Sequence, residues 1–536
     1  MNKRLLVAIP VIGGILTGLA WTSWCSGLIL LISLIPFFYV ENYLYENRET
    51  NHPNSVFVLL APGLLVFNII ALGWVHVASF VAAIFLILAS TFFMTFVIWL
   101  AHIVRLKMGN FYGILAFVSF WLSLEFLNLT TDPFNPWLNL GNGLAKDIQF
   151  IQWYDITGTA GGTLWILLSN IIAVMVIVSS PKKLKVCYLY SALFILLLIV
   201  PVSVSFVKYF KNGTPGENKT EVVIVQPNID PYSEKFNRSF EEQLELVLQM
   251  AEKGVTDNTK WVIAPETTID NQIDENHFEN NKYIIRIKMF LKAHPGINLV
   301  IGATTIKENQ VSLSKAMATA KKKNSSDQYF NIYNSALNID TGKQIVVYHK
   351  SKLVPGIEKQ FNGIAGKITG VLLPYLGGTP SGYGTQAERT IFMHTGNNQK
   401  VAPIICYESV FGEFITTYVK NGANLVFIIT NDGWWKNTNG YKQHLSYASI
   451  RAIETRRSVA RAANTGISCF IDKRGVISSS SAWWEPAIIS GNISIETRIT
   501  PYVRYGDYIL HIGNIVSILI LILLFGTFAR KEWIKK

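Results

Sequence analysis

Charge is scarce in this chain of 536 residues: 15% of it is Asp, Glu, Lys or Arg, against about a quarter in a soluble domain. The shortage is uneven. Of 47 Lys and Arg and 35 Asp and Glu, residues 1–211 hold only 11 and 7. This excludes an all-soluble protein, and equally a disordered or fibrous one. Cysteine is scarce too. Cys25, Cys187, Cys406 and Cys469 form no CxxC and no Cys/His spacing suited to zinc, so no metal is expected. A P-loop is missing, as is any GxGxxG after a strand, so no nucleotide cofactor is expected. Acid is the minority sign, with a net charge of +12. Excess base serves either nucleic acid or the short loops of a membrane protein. Here the basic residues flank apolar runs, which points to a bilayer partner and away from nucleic acid.

A spanning helix needs about 20 mostly apolar residues. Such runs lie near 5–22, 24–44, 56–75, 78–104, 112–129, 161–180 and 186–207, with an eighth near 508–528. The first, behind Lys3 and Arg4, also has the form of a signal peptide, but a second apolar run follows almost at once. Lys3 and Arg4, Arg105 and Lys107, Lys182, Lys183 and Lys185, and the tail Arg530, Lys531, Lys535 and Lys536 all fall on one side of these spans. By the positive-inside rule both termini are cytoplasmic. The expected plan is a seven-span domain at 1–211, a catalytic domain outside at 212–505 and a last span with a basic tail at 506–536. In a bacterium that is a multi-pass inner-membrane protein with a periplasmic domain. Glu125 interrupts the run FWLSLEFL; an intramembrane carboxylate is either functional or a polar helix contact. The stretch 131–160, rich in Pro, Gly and Asn, reads as an irregular outer loop.

From residue 220 the pattern changes. Strands are expected at 221–229, 260–269 and 299–306, and a hairpin over 335–350 turning at Asp340–Gly342. A capping box, Ser239 with Glu242, opens a helix to about 253. Residues 401–422 read as strand, sharp turn and helix, and 424–435 as strand then loop. A helix is expected over 441–461, then strands near 467–472 and 487–495. The run 321–327 reads as a solvated loop tip. Strands alternating with helices give an α/β domain.

Three residues end strands. Cys406 precedes a helix, whose N-terminus would lower its thiol pKa. Glu266 follows Ala264–Pro265, where partial desolvation would raise a carboxyl pKa and suit a general base. Lys350 can stay cationic beside a carboxylate and stabilise an oxyanion. Taken singly, each has a commoner explanation: a structural thiol, a capping carboxylate, a surface lysine.

Glu, Lys and Cys in that order, within WVIAPETTI, YHKSKLVP and PIICYESVF, resemble the nitrilase superfamily. Its fold is a four-layer α-β-β-α sandwich with a Glu-Lys-Cys triad. TNDGWW (430–435) and the segment 443–466 look like further family pieces. With the apolar spans and PWLNLG, the chain resembles the apolipoprotein N-acyltransferase family almost throughout. That resemblance implies transfer of a fatty acyl chain from a phospholipid, through a thioester on Cys406, to the α-amino group of a diacylglyceryl-cysteine apolipoprotein. It makes Glu266 the base and Lys350 the oxyanion support. It makes Glu358, Tyr407 and Glu408 supporting residues, and Phe236 (matched to a family Trp with a one-residue shift) and Trp434 substrate contacts. VPGIE at 354–358 departs from the family's VPFGE. Apolar loops, residues 356–385 and Trp434–Trp435, are expected to keep water off the thioester. Two alternatives stay open: a membrane-anchored amidase using the same triad with water on a small amide, and a transporter or scaffold without catalysis. A Cys406–Cys469 disulfide would remove the nucleophile.

Overall fold

The computed structural model describes residues 2–131, 135–179, 184–213, 218–235, 237–309, 319–322, 329–342, 344–355, 357–359 and 382–535, with C-terminal side chains as far as Thr527. Phe236, Lys182, Lys183 and most of the expected covering loop at 356–385 lie outside these residues. The chain divides into two compact units, Met1–Lys211 with Tyr505–Lys536, and Asn212–Arg504.

The first unit is helical. Its helices are α1 (Lys3–Leu19), α2 (Leu30–Ser33), α3 (Ile35–Glu46), α4 (Ser55–Leu72), α5 (Phe80–Met108), α6 (Asn110–Thr130), α7 (Tyr154–Ser179), α8 (Leu184–Lys211) and a C-terminal helix, Tyr508–Lys535. Among the described residues, seven helical segments are long and apolar enough to cross a bilayer: Gly27–Glu46, Ser55–Val77, α5, α6, α7, α8 and Tyr508–Thr527. At 17 residues, α1 is about 25 Å long. It packs backbone to backbone on α4, where a Cβ on Gly14 would lie 1.9 Å from the Gly63 carbonyl oxygen. Small residues permit such close helix contact in a membrane.

The described part of the 131–160 stretch is irregular, as expected, but much of it is buried. Pro136–Leu138, Leu140–Leu144 and Ile148–Phe150 are 3-10 turns, and Trp137, Leu138, Leu140, Leu144, Ile151 and Tyr154 are buried. Glu125 explains the burial. Its Oε1 accepts from the Leu140 amide (2.7 Å) and Trp121 Nε1 (3.3 Å), and its Oε2 from Thr163 Oγ1 (2.7 Å). The carboxyl therefore staples α6 to this segment and to α7, which is the polar-contact alternative for Glu125.

The second unit is the α-β-β-α sandwich. One sheet runs β14 (Ala487–Ser494), β1 (Lys219–Gln226), β2 (Thr259–Ile263), β4 (Asn298–Asn309), β6 (Tyr329–Ile339), β5 (Lys321–Lys322). In it β3 (Ile269–Asp274) also pairs with β4, and β7 (Val346–His349) with β6. The other runs β13 (Ile477–Ser478), β12 (Cys469–Ile471), β11 (Val459–Ala463), β10 (Leu425–Thr430), β9 (Lys400–Ile405), β8 (Phe392–Met393). Lys321 and Lys322, expected in a loop tip, thus form a short edge strand. Strand alternation sorts the residues. Val223, Val225, Val262, Leu299 and Ile301 pack with Leu244, Val247, Ile284 and Ile287 of the outer helices α9 (Phe240–Gly254) and α10 (Lys282–Ala293). Trp261 points the other way and meets Phe427 of the second sheet edge-on, ring centroids 5.3 Å apart. The helices α11 (Gly412–Lys420) and α12 (Asn439–Thr455) accompany the second sheet.

One expected element is corrected. The helix from 441 stops at Thr455, where Arg456 turns left-handed (φ 52°), and Val459–Ala463 is a fully buried strand parallel to β10. Four consecutive polar or basic residues, Thr455–Ser458, read as a helix surface. Instead Arg456 and Arg457 are buried and donate to the carbonyls of Lys473, Thr455, Ala423 and Arg498.

Candidate active site

Parallel strands β2 and β9 deliver Glu266 and Cys406 at their carboxyl ends, where open α/β sheets place ligands. Antiparallel β7 delivers Lys350, whose amide donates to the Asn334 carbonyl of β6 at 2.8 Å. Glu266, Lys350 and Cys406 are 7%, 1% and 8% exposed. Lys350 Nζ donates to Glu266 Oε1 at 3.0 Å and to Glu358 Oε1 at 2.8 Å. Asn334 Nδ2 bridges the same two oxygens at 2.8 and 3.0 Å. Glu358 Oε2 accepts from the Val354 amide at 2.8 Å, so the altered VPGIE turn still brings this carboxylate to the lysine.

Glu266 owes its place to a glycine. A Cβ on Gly302 of β4 would lie 2.6 Å from Glu266 Cα and 2.5 Å from the Thr267 nitrogen. Thr267 itself turns left-handed (φ 50°), and Gly302 donates to the Pro265 carbonyl at 3.0 Å.

The electrostatics differ from both pKa expectations. Burial alone would raise the Glu266 carboxyl. The Lys350 ammonium, the Asn334 hydrogen bond and the more distant charge of Lys235 outweigh it and hold the carboxyl below the usual range. Burial opposes the charge of Lys350, but the Glu266 and Glu358 carboxylates hold its ammonium well above the ordinary value. Burial and then Glu266 push the Cys406 thiol up; Lys350 and a hydrogen bond with Thr430 only moderate this. A 3-10 turn, Cys406–Val410, separates the thiol from α11, so no helix N-terminus offsets its desolvation. The resting ionisation is carboxylate, ammonium and neutral thiol.

Cys406 is itself left-handed (φ 51°), a strained backbone typical of functional turns. Its carbonyl accepts from Ser409 Oγ at 2.8 Å and faces His444 Nε2 at 3.1 Å. His444 Nδ1 lies 3.0 Å from Asp432 Oδ1, and Arg461 Nη2 donates to Asp432 Oδ2 at 2.6 Å. Arg461 and His444 hold Asp432 below the ordinary carboxylate range against its burial. Glu408 ties the nucleophile turn to the lysine segment. Its Oε1 accepts from Tyr348 OH and the Ser351 amide, both at 2.6 Å, and its Oε2 from the Ile405 amide at 2.8 Å.

The structure thus gathers Glu266, Lys350, Glu358 and Cys406, and sets Glu408 immediately behind them. Tyr407 is half-buried with its ring edge-on to Phe411. Trp434 is 37% exposed and packs on Tyr232. Cys406 and Cys469 are both free thiols. Asn334 and Lys235 are absent from the sequence reading, which includes Asp432, His444 and Arg461 only within the family-like segments 430–435 and 443–466 and gives them no role. A charge inside an apolar strand, as in VARAA, is the signal that marks Arg461, since Arg is seldom fully buried unless paired. Among the described residues no cluster of His, Cys, Asp and Glu would hold a metal ion.

The carbon-nitrogen hydrolase family model matches residues 221–500, and the model of the apolipoprotein N-acyltransferase N-terminal domain matches 13–172. An apolipoprotein N-acyltransferase from Chlorobaculum tepidum is 26% identical over 94% of this chain and 93% of its own length. Those from Geobacter metallireducens and Pasteurella multocida are 27% and 23% identical, over 76% and 95% of this chain and 73% and 95% of theirs. An amidase from Nesterenkonia sp. superposes with TM-score 0.35 and 15% identity, over 55% of this chain and 95% of that one. By the family models and the sequence relatives, the chain belongs to the carbon-nitrogen hydrolases of the nitrilase superfamily and, within them, to the membrane-embedded apolipoprotein N-acyltransferase family.

Proposed function

We propose that this acyltransferase moves a fatty acyl chain from a phospholipid to the α-amino group of a diacylglyceryl-cysteine apolipoprotein, through a thioester on Cys406. The observation that carries the reading is the buried Glu266–Lys350–Glu358 cluster beside the neutral Cys406 thiol. Cys406 Sγ attacks the ester carbonyl as its proton passes to Glu266. Negative charge collects on the carbonyl oxygen, and Lys350 stabilises it. The tetrahedral adduct expels the lysophospholipid alkoxide, which takes the proton back from Glu266. The acceptor's neutral amine then attacks the thioester and yields its proton to Glu266, which returns it to the departing thiolate. An ester and an amine become an alcohol and an amide. No cofactor or metal enters the scheme. Tyr407, Glu408 and Trp434 support or border the site, and Phe236 is assigned with Trp434 to substrate contact through the family resemblance alone.

A catalytic unit carried by apolar helices suits substrates that are themselves lipids. The distribution of basic residues supports a cytoplasmic location for both termini and a periplasmic one for the sandwich in the bacterial inner membrane. Mass spectrometry of the detergent-purified chain after incubation with phospholipid tests the reading. A hydroxylamine-sensitive acyl adduct on Cys406, missing in Cys406→Ala, is expected. A free Cys406 with the lipid intact would favour a small-amide hydrolase instead.

A further inference from the structure

The proposed chemistry leaves one buried charge without a task. Lys235 is 6% exposed. Among the described residues its ammonium makes no ion pair, and Asp270 and Glu266 act on it only through space. A buried, unpaired cation is costly, so its retention calls for a cause. Its backbone is held firmly. The amide donates to the Asp230 carbonyl at 2.9 Å, and the carbonyl accepts from the buried Gln243 Nε2 at 2.8 Å. The side chain lines, with Glu266, Thr267, Thr268 and Asn431, a cavity of about 10 Å³, room for about one water molecule.

The charge balance of the neighbourhood supplies the cause. Glu266 and Glu358 present oxygens to the same Asn334 nitrogen and share one ammonium, that of Lys350. Two carboxylates so close push one another towards protonation. Other titratable groups facing Glu266 are the Cys406 thiol and Tyr383, neither of which brings a positive charge. Asp270, which accepts from Thr304 Oγ1 at 2.5 Å, acts on Lys235 as a further negative charge. Lys235 is the second cation against these carboxylates. Burial pulls its ammonium down, and the fields of Asp270 and Glu266 oppose that pull.

We propose that Lys235 is a positioning residue which, across the small cavity it shares with Glu266, holds that carboxyl ionised as the base of the acyl transfer. The proposal rests on Glu266 being the base. When Glu266 takes the thiol proton, the nearby cation also weakens its grip, so the proton remains available to the leaving alkoxide.

The test is the pH dependence of kcat/KM for acyl-enzyme formation, using full-length protein and phospholipid in mixed micelles. Removing a positive charge raises the pKa of a neighbouring carboxyl. Lys235→Met should therefore displace the acid limb upward by about one pH unit. The loss is about tenfold below the limb, and the rates converge above it. Lys235→Arg should restore the limb. If Met is not tolerated at this buried position, Lys235→Gln removes the charge while keeping a polar head, and carries the same expectation. An acid limb that superimposes on the wild type, a loss equal at every pH, or a raised KM with kcat intact would each overturn the proposal. Glu266→Gln is run in parallel. If it keeps the wild-type rate, the base assignment itself falls. If it is inactive while the Lys235 variants leave the limb unmoved, only the role of Lys235 falls.

Discussion

Cys406 differs from a thiol that is activated in advance. Its burial and the Glu266 charge keep it protonated, so its nucleophilicity must arise as the proton leaves for Glu266. An ordinary thiol near pKa 8.5 gains thiolate roughly 25-fold between pH 7 and 9. With Glu266 taking the proton inside the site, alkylation of Cys406 by iodoacetamide, followed by mass spectrometry, should rise less than about threefold over that range; in Glu266→Gln, where only free thiolate reacts, it should climb steeply with pH. A rise of the ordinary size in the wild type would remove the need for a base. Asp432 carries a stability argument of the opposite kind. It lies between Arg461 and His444, all three fully buried. Asp432→Asn leaves Arg461 without its counter-charge, a loss of about 3–5 kcal/mol for a broken buried pair. The native carboxyl titrates below its unfolded value, so its contribution is complete above about pH 4 and is lost as pH falls further. The melting-temperature gap between wild type and Asp432→Asn should be constant from pH 5 to 8 and narrow below about pH 4.

At the scale of elements, the site depends on how closely β4 approaches the turn after β2. Gly302→Ala adds one methyl group where Glu266 Cα is 2.6 Å away, and backbone at both ends leaves little room to yield. A displacement near 1 Å at a reacting group costs about a hundredfold. Gly302→Ala should lower kcat/KM by that order with a smaller proportional effect on thermal stability. Equal activity would mean the turn can relax without moving the carboxylate. Elements with a clear period were legible in the sequence. The capping box at Ser239 opens α9 as expected, the β-branched runs around 221–229 and 299–306 form strands, and 424–435 is strand then turn. Where a buried polar residue sets the structure, the pattern misleads. Arg457 and Arg461 look like a helix surface, yet their guanidinium groups satisfy carbonyls and Asp432 inside the sandwich. The Pro- and Gly-rich 131–160 stretch looks like a loop, yet Glu125 draws it into the helical unit. Local composition does not reveal a hydrogen-bond partner that is distant in the chain.

At the scale of the whole molecule, the same limit explains what the sequence could say of the site. Cys406, Glu266 and Lys350 stand at strand ends, and order along the chain was enough to single them out. Asn334 sits mid-strand and Lys235 in a polar segment; only the folded neighbourhood gives either a meaning. The division of charge, by contrast, was legible from the start, because basic loop residues leave a one-dimensional record of which side each loop occupies. That record makes a prediction independent of the chemistry. Ser480, exposed in the sandwich unit, follows the first eight helices and precedes the last. If α1 spans with the others, Ser480→Cys should react with a membrane-impermeant maleimide in intact spheroplasts. A cysteine placed beside Arg48, in the exposed turn after α3, should stay protected there, since two spans return the chain to the side of its N-terminus. Cysteine introduced next to Lys107, in the last turn of α5, should react only once the membrane is opened. The Arg48 position is the discriminating one, because its loop also carries Glu46 and Glu49 and has no net bias. Two crossings by α1 and the Gly27–Glu46 segment would return the chain to the cytoplasm and leave that cysteine protected. A reactive cysteine there, with Lys107 protected, requires an odd number of crossings before residue 48 and an odd number between it and residue 107. Counting α4 and α5 as two full spans forbids that combination. The consistent outcome is therefore protection at both loops and reaction at Ser480→Cys alone; labelling at either loop in intact spheroplasts would break the seven-crossing count and place the catalytic unit in doubt.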